Sequence, residues 1–137
     1  VQERDSAKIF LHINTFGGTI FAGLSGMDEI LASKVPVVTI IDGCCASAGT
    51  LLSIVGSRRL MRPHAFMLIH QLSGLSWGKY RDLVDDHINH TKLMDTIKGI
   101  YTRYTKIPLE KLDEILDHDL WFDASTCLKY GLVDEII

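Results

Sequence analysis

The sequence predicts an α/β fold in which parallel strands alternate with helices as stacked βαβ units. Strand-like and helix-like patterns alternate through the first half of the chain, which is the order that such units require. Residues 35–42, VPVVTIID, form a continuous apolar run rich in β-branched side chains. Such a run is typical of a parallel strand that is buried on both faces. A helical pattern over residues 77–105 adds one long helix, which we expect to protrude from these units.

The elements of the first half follow from their patterns in chain order. Residues 8–14 predict a strand, and two glycines break the pattern soon after it. Residues 20–33 predict a helix with an apolar face at helical spacing, formed by Ile20, Phe21, Leu24, Met27, Ile30 and Leu31. After strand 35–42, residues 47–56 predict a short helix, and two short strands flank Pro63.

The second half is predicted to be mostly helical. The helix over residues 77–105 would be roughly 40 Å long, which is longer than a domain of this size can cover. We therefore expect part of it to pack on another subunit. Residues 108–118 predict a shorter helix with Pro108 at its start. Residues 123–137 predict a short helix, a glycine cap at Gly131 and a terminal strand.

The composition favours a single globular domain over residues 1–137. Apolar residues make up 47% and charged residues 23%, as in ordinary folded proteins. The net charge of −3 gives no basic surface, so no nucleic-acid partner is expected. No apolar run has the length of a membrane span and the first residues lack a signal-peptide pattern, so no membrane association is expected.

The three cysteines predict a reducing compartment. Cys44 and Cys45 are adjacent and Cys127 is alone, an arrangement that does not favour a disulfide framework. We expect three buried, unreactive thiols and a location in the cytoplasm or in an equivalent organelle matrix or stroma.

The segment DGCCASAGTLL, residues 42–52, contains the candidate nucleophile. Ser47 follows the buried strand at the predicted start of a helix, where its hydroxyl would be exposed near the positive end of the helix dipole. Its small neighbours leave room for a substrate at the backbone. The arrangement is similar to a nucleophile elbow, although Cys45 fills the first glycine position of the G-x-S-x-G pattern. From the residues alone, a helix cap remains an alternative role for Ser47.

A serine nucleophile needs a general base, and the base needs an acid to orient it. His70 ends the apolar strand AFMLIH, so it would lie at the same edge of the sheet as Ser47. Asp119 precedes the apolar pair at residues 120–121 and is a candidate half-buried acid. The chain has six histidines and 17 acidic residues, so spacing alone does not select Asp119.

Four blocks in order carry a resemblance to a known family: LHINTFGGTIFAGLSGMDEI, DGCCASAGTLL, AFMLIHQ and YGLVDEI. They resemble successive blocks of the Clp protease proteolytic subunit (ClpP) family, serine peptidases of the ClpP/crotonase fold. The match runs from about residue 8 to residue 137. By this resemblance the long helix is the family's protruding handle.

The resemblance implies a Ser-His-Asp triad for peptide-bond hydrolysis. Its nucleophile, base and acid match Ser47, His70 and Asp119, and its oxyanion-hole amides match those of Gly18 and Ala48. It also implies that a polypeptide substrate lies as an added strand against Thr19, Ile20, Leu72, Ser73 and Gly74. No metal or organic cofactor is required. His87 and His90 lie three residues apart, but without a third ligand they predict no metal site.

The resemblance further implies a homo-oligomer of two stacked heptameric rings around a closed chamber. Association with an AAA+ ATPase unfoldase is carried over as an expectation. The family has a region of about fifty residues before the first matched block, and we expect that region to be absent from this chain.

Three other functions stay open beside the peptidase. The first is a non-catalytic or structural ClpP-like subunit of a mixed ring or larger particle, which the complete triad argues against. The second is a crotonase-type acyl-CoA enzyme, which shares the oxyanion hole but does not need the triad. The third is a peptidase with a Ser–Lys dyad, for which Lys34 is the lysine nearest to Ser47 in sequence.

Overall fold

The structure, a computed structural model, describes residues 7–137. In this part of the chain five strands form one sheet: β1 (Ile9–Thr15), β2 (Val37–Ala46), β3 (Arg58–Met61), β4 (Phe66–Leu68) and β5 (Glu135–Ile136). The helices are α1 (Ile20–Ala32), α2 (Thr50–Ser53), α3 (Tyr80–Tyr104), α4 (Leu109–Leu116) and α5 (Ala124–Lys129), and a 3-10 turn covers Ser47–Gly49.

Strand β2 is the centre of the sheet. One edge of it pairs with β1, and the other edge pairs first with β3 and then, nearer its carboxyl end, with β4. Strand β5 pairs with β3. All of these pairings are parallel, so the predicted α/β fold with a parallel sheet is confirmed. Because parallel strands end at the same edge, the segments after β1, β2 and β4 are brought together there.

The central strand is longer than the sequence predicts. It was expected to end at Asp42, but it continues to Ala46 because its last residues pair with β4. The Asp42–Gly43 pair, which has turn chemistry, lies within the strand instead. Gly43 has a φ of +64°, and the register with β1 shifts at this point. The Asp42 side chain accepts hydrogen bonds from His12 and Arg62 at the surface.

Helix α1 and the segment after β2 differ in detail from their predicted forms. Phe21 and Leu31 were expected on the buried face of α1 but are exposed, whereas Gly23 and Met27 are buried. The single helix predicted over residues 47–56 is divided into the 3-10 turn and the four-residue helix α2. The division keeps the backbone around Ser47 outside a regular α-helix.

Helix α3 extends beyond the core. Its 25 residues span about 37 Å, close to the predicted length. The two residues that it buries, Ile97 and Tyr101, both lie in its last third. Near its start, Tyr80 and Leu83 are exposed, as is Trp77 in the preceding segment. None of the helices over residues 7–137 combines the length and the apolar character that a membrane crossing needs.

Arg59 connects β3 to the C-terminal segment. Its guanidinium donates to the Asp134 carboxylate at 2.6 Å and to the carbonyls of Tyr104 and Gly131 at 2.7 Å each. The hydrogen bonds from Arg59 to the carboxylate hold the pKa of Asp134 below its usual value. The end of α3, the turn after α5 and the start of β5 are therefore joined at one side chain.

Candidate active site

Ser47 lies directly after β2, in a backbone conformation that serine rarely adopts. Its φ is +57°, and it is the only non-glycine residue with a positive φ in the described part of the chain. Such a conformation costs about 1–3 kcal/mol and is typical of functional turns. The Ser47 hydroxyl makes no hydrogen bond within residues 7–137, and the turns beside it have no side-chain cap. This geometry favours the elbow interpretation over the helix cap.

Gly17 allows the loop after β1 to touch the Ser47 turn. It has a φ of +101°, and a Cβ atom there would lie 2.7 Å from the Ala46 oxygen and 2.8 Å from the Ser47 Cβ. Gly17 donates its own N–H to the Thr15 hydroxyl at 3.0 Å. The next N–H, that of Gly18, has no acceptor among the described residues. Packing therefore requires glycine at position 17 of this loop. It does not require glycine at position 18, where a Cβ atom would meet nothing within 4 Å among the described residues.

His70 follows β4 by two residues and is held between two backbone contacts. Before it, Met67 and Phe122 form an antiparallel bridge, and after it the Gln71 N–H donates to the Leu116 carbonyl at 3.0 Å. The His70 Nδ1 atom lies 2.5 Å from the Gln71 carbonyl oxygen. Because a carbonyl only accepts, Nδ1 carries the proton and Nε2 is the basic nitrogen. This is the tautomer that a general base toward serine requires.

The predicted nucleophile, base and oxyanion donors line one cavity of about 430 Å³. The predicted site residues in its wall are Gly18, Thr19, Ile20, Ser47, Ala48, His70, Leu72 and Ser73. No hydrogen bond joins Ser47 to His70 within residues 7–137. The cavity is partly open to solvent, and Ser47 and His70 are half-buried. A substrate entering it would meet both side chains.

Gly74, the last of the predicted substrate residues, lies in the wall of a second cavity of about 240 Å³. The two cavities share Ile20, Leu72 and Ser73, so they adjoin each other beside α1 and the segment after His70, and together they are called the groove. The Thr19 side chain caps α1 by accepting from the Ala22 N–H at 3.2 Å. Its hydroxyl is therefore already engaged, and a substrate would meet the backbone on that side.

Asp119 is not brought to the cavity in this structure. Its side chain was expected to be half-buried but is exposed, as are its neighbours over residues 117–120. No hydrogen bond joins Asp119 to His70 in the described part of the chain. The Gln71 carbonyl accepts the His70 Nδ1 proton that the Asp119 carboxylate was expected to accept.

Two groups that sequence reasoning missed lie behind Ser47. The Thr50 hydroxyl is 2.7 Å from the Ser47 carbonyl oxygen, and the Tyr101 hydroxyl hydrogen-bonds to Thr50. Tyr101 is 3% exposed, and burial raises the pKa of its phenol well above the usual range. In the sequence, Tyr101 is a tyrosine on the apolar stripe of the long helix. Its position in that stripe does not indicate that its hydroxyl bonds to Thr50, about fifty residues earlier in the chain.

No residues in the described part of the chain are arranged for a metal ion. Over residues 7–137, no three His, Cys, Asp or Glu side chains are grouped as a metal site requires. His87 and His90 lie in the wall of a separate cavity beside α4.

The three cysteines are free thiols. Cys45 and Cys127 are buried as predicted, and burial raises the pKa of each to about 12. Cys44 is half-buried, because the bulged end of β2 turns it toward the surface. The expectation of three buried thiols is therefore correct for Cys45 and Cys127 and wrong for Cys44.

Comparisons with known proteins agree in pointing to one family. A family model described as Clp protease matches residues 1–137. The ATP-dependent Clp protease proteolytic subunit of Deinococcus radiodurans is 36% identical over 132 residues, covering 95% of this chain and 65% of that protein. Proteins of the same name from Mesostigma viride and Chlorokybus atmophyticus are 33% and 32% identical over 137 residues. The alignments cover 98% of this chain in both cases, and 60% and 61% of those two proteins. The chain thus spans less than two thirds of the length of these relatives.

Proposed function

The chain belongs to the Clp protease family, and from that premise we propose that it is a serine endopeptidase subunit in which Ser47 and His70 hydrolyse peptide bonds. One observation carries the proposal. A serine in a strained turn and a histidine in the basic Nε2 tautomer line the same cavity, together with the Gly18 amide. A surface serine and a core histidine without a catalytic role would not require this arrangement.

The proposed reaction is acyl transfer. His70 Nε2 takes the Ser47 proton as Oγ attacks the peptide carbonyl, and the N–H groups of Gly18 and Ala48 stabilise the oxyanion. His70 then gives the proton to the leaving amine, and water hydrolyses the acyl-enzyme. Each oxyanion donor is worth on the order of 3 kcal/mol in the transition state. The Gly18 N–H supports this role, because no acceptor within residues 7–137 competes for it.

Asp119 is proposed as the acid that replaces the Gln71 carbonyl at His70 Nδ1. The hydrogen bond from Gln71 to Leu116 already ties the segment before Asp119 to the segment that carries His70. A rearrangement of the few residues after Leu116 is then enough to bring the carboxylate to the imidazole. We expect subunit contacts to stabilise that rearranged form.

The proposed substrate is an unfolded polypeptide, bound as an extended strand in the groove formed by the two cavities. The groove has walls from Ile20 on one side and from Leu72, Ser73 and Gly74 on the other. Main-chain hydrogen bonds to such walls give affinity with little dependence on sequence. The Thr19 hydroxyl caps α1, which supports a backbone role for that residue.

The chain is proposed to act as a homo-oligomer, with stacked heptameric rings as the family resemblance implies. The start of α3 supports this proposal. Tyr80 and Leu83 on the helix and Trp77 in the segment before it are exposed apolar side chains, and the helix extends past its own core. The names of these relatives include the term ATP-dependent, so an AAA+ ATPase unfoldase is the proposed partner. The three free thiols fit a reducing compartment such as the cytoplasm or an organelle matrix.

A non-catalytic subunit of a mixed ring is the second candidate function. The observation that favours it is the exposed position of Asp119, away from His70. The two candidates differ in whether the assembled chain turns over a peptide by itself.

Hydrolysis of a blocked fluorogenic peptide and of casein by the assembled protein tests the proposal. We expect turnover by the wild type and its loss, by a factor on the order of 10⁴ or more, in Ser47→Ala and His70→Ala. Ser125→Ala is a matched control, because Ser125 is an exposed serine on α5 whose hydroxyl, within residues 7–137, bonds only to Asp123. No turnover by an assembled wild type, as sized by sedimentation, would select the non-catalytic subunit.

A further inference from the structure

Two buried hydroxyl groups lie in a line behind the candidate nucleophile. Tyr101 reaches from α3 to the Thr50 hydroxyl, and the Thr50 hydroxyl reaches the carbonyl oxygen of Ser47 at 2.7 Å. Thr50 is fully buried and Tyr101 is 3% exposed, so both residues lie away from bulk solvent. The Thr50 backbone N–H also donates to the Ser47 carbonyl.

The chemistry of the groups fixes the direction of these hydrogen bonds. A carbonyl oxygen only accepts, so the Thr50 hydroxyl must donate its single proton to Ser47. The Thr50 oxygen therefore accepts from the Tyr101 hydroxyl. The result is one ordered chain from Tyr101 through Thr50 to the Ser47 carbonyl.

This chain acts on the peptide group that the proposed mechanism uses. The Ser47 carbonyl and the Ala48 N–H belong to the same peptide, which is planar and trans, so they point in opposite directions. Holding the carbonyl toward Thr50 therefore turns the Ala48 N–H away from Thr50. Ala48 itself lines the wall of the cavity that contains Ser47 and His70.

The strained Ser47 turn makes such an anchor useful. Ser47 has a φ of +57°, in the sparsely populated left-handed region, and the peptide that follows it can still rotate about ψ of Ser47 and φ of Ala48. That rotation would withdraw the Ala48 N–H. The Ser47 carbonyl accepts two hydrogen bonds, and these resist the rotation. They also polarise the peptide, which makes the Ala48 N–H a stronger donor.

We propose that Tyr101 and Thr50 are positioning residues that hold the Ser47–Ala48 peptide with its N–H directed at the oxyanion of the reaction. This inference rests on the proposed function and adds to it two residues that act through the Ser47–Ala48 peptide; the Tyr101 side chain also lines the wall of the cavity. Tyr101 comes from the last third of α3, so the inference also links the oxyanion site to the base of the long helix.

The test removes each hydroxyl with little change in side-chain shape, and one further variant keeps the hydroxyl of Thr50. Tyr101→Phe, Thr50→Val and Thr50→Ser are made in the full chain, and kcat and KM for a blocked fluorogenic peptide are measured on assembled protein. The inhibition constant of an N-acetylated tripeptide aldehyde is measured beside them, because the aldehyde forms a tetrahedral adduct whose oxygen occupies the oxyanion site.

We expect Thr50→Val to lower kcat on the order of 10²-fold and Tyr101→Phe about tenfold, with KM changed less than about threefold. In each variant the inhibition constant of the aldehyde should rise by about the same factor by which kcat falls. Thr50→Ser, which keeps the hydroxyl, should restore kcat to within about threefold of the wild type. The double variant Tyr101→Phe, Thr50→Val should be no slower than Thr50→Val, because Tyr101 acts through Thr50.

Two control variants separate positioning from stability. Thr39→Val removes a buried hydroxyl that also donates to a backbone carbonyl, that of Ser53 at 2.8 Å, and makes no hydrogen bond to the Ser47–Ala48 peptide. Tyr104→Phe removes a phenol hydroxyl one turn along α3 that has no hydrogen bond among the described residues. Both should keep the wild-type kcat at temperatures well below their melting points.

The outcomes are distinct. Unchanged kcat and aldehyde affinity in Tyr101→Phe and Thr50→Val, with an active wild type, would overturn this inference and leave the proposed function intact. Losses of the same size in the two controls would also overturn it, because a stability effect would then be enough. A wild type that neither turns over peptide nor binds the aldehyde would overturn the proposed function, and this inference with it.

Discussion

Replacing Gly17 with alanine tests whether the contact between the glycine loop and the serine turn builds the oxyanion site. The new Cβ atom would lie 2.7 Å from the Ala46 oxygen and 2.8 Å from the Ser47 Cβ. Ordinary contact begins at 3.4 Å, so the two loops must separate by about 0.7 Å. The φ of +101° adds a backbone cost of about 1–3 kcal/mol in a non-glycine residue.

The separation would move the Gly18 N–H away from Ser47. A misplacement of about 1 Å, or the loss of one oxyanion donor, costs on the order of 10²-fold in rate. We therefore expect Gly17→Ala to lower kcat about 10²-fold with a smaller change in KM, and to lower the free energy of unfolding by about 1–3 kcal/mol. The assays are turnover of a fluorogenic peptide and urea unfolding of the same preparation.

Gly99→Ala is the matched control. Gly99 is exposed in the last third of α3, and a Cβ atom there would meet nothing within 4 Å among the described residues. This variant should keep full activity and gain up to about 1 kcal/mol of stability from helix propensity. A Gly17→Ala protein that loses stability but turns over substrate within threefold of the wild type would refute the reasoning, because the loop contact would then be structural only.

Three further predictions address the acid, the C-terminal ion pair and the thiols. Asp119→Asn should lower kcat on the order of 10⁴-fold. A loss below tenfold would mean that the Gln71 carbonyl alone orients His70 well enough for catalysis. Asp134→Asn should lower the free energy of unfolding at pH 7 by about 1 kcal/mol, measured by urea titration. Iodoacetamide at pH 8 should alkylate native Cys44 before Cys45 and Cys127, as read by peptide mapping, and equal rates would contradict the burial seen here.

The effect at Asp134 has a defined pH dependence. Arg59 lowers the folded-state pKa of Asp134 below its usual 3.8, so the carboxylate stabilises the folded state at pH values above about 4. This contribution is lost as the pH falls below about 4 and through the folded-state pKa. The stability difference between the wild type and Asp134→Asn should therefore shrink between pH 5 and about pH 2. A difference that stays constant over this range would exclude the ion pair as its cause.

The sheet could be predicted because its signals are local. The apolar run that becomes Val37–Ile41 indicates a doubly buried strand, and alternation of strands and helices indicates parallel pairing. The extension of β2 to Ala46 could not be predicted, because it depends on pairing with β4, about twenty residues later along the chain. Asp42 and Gly43 have the residue types of a turn, and only the hydrogen bonds to neighbouring strands keep them in the strand.

The candidate site could be predicted in part, because the predicted sheet determines where its strands end. Ser47 and His70 follow strands that meet at one edge, so their proximity follows from topology. The positive φ of Ser47 and the close approach of Gly17 arise from packing between loops and leave no pattern in the sequence. The exposed position of Asp119 depends on how one short segment turns after α4, which residue types do not specify.

Labelling of the assembled protein with a fluorophosphonate tests the central claim most directly. The reagent reacts with a serine that has an activating base beside it. The account predicts one modified residue, Ser47, by peptide mapping, and loss of the modification in His70→Ala. An assembled wild type that stays unlabelled, or that is labelled equally in His70→Ala, would contradict it.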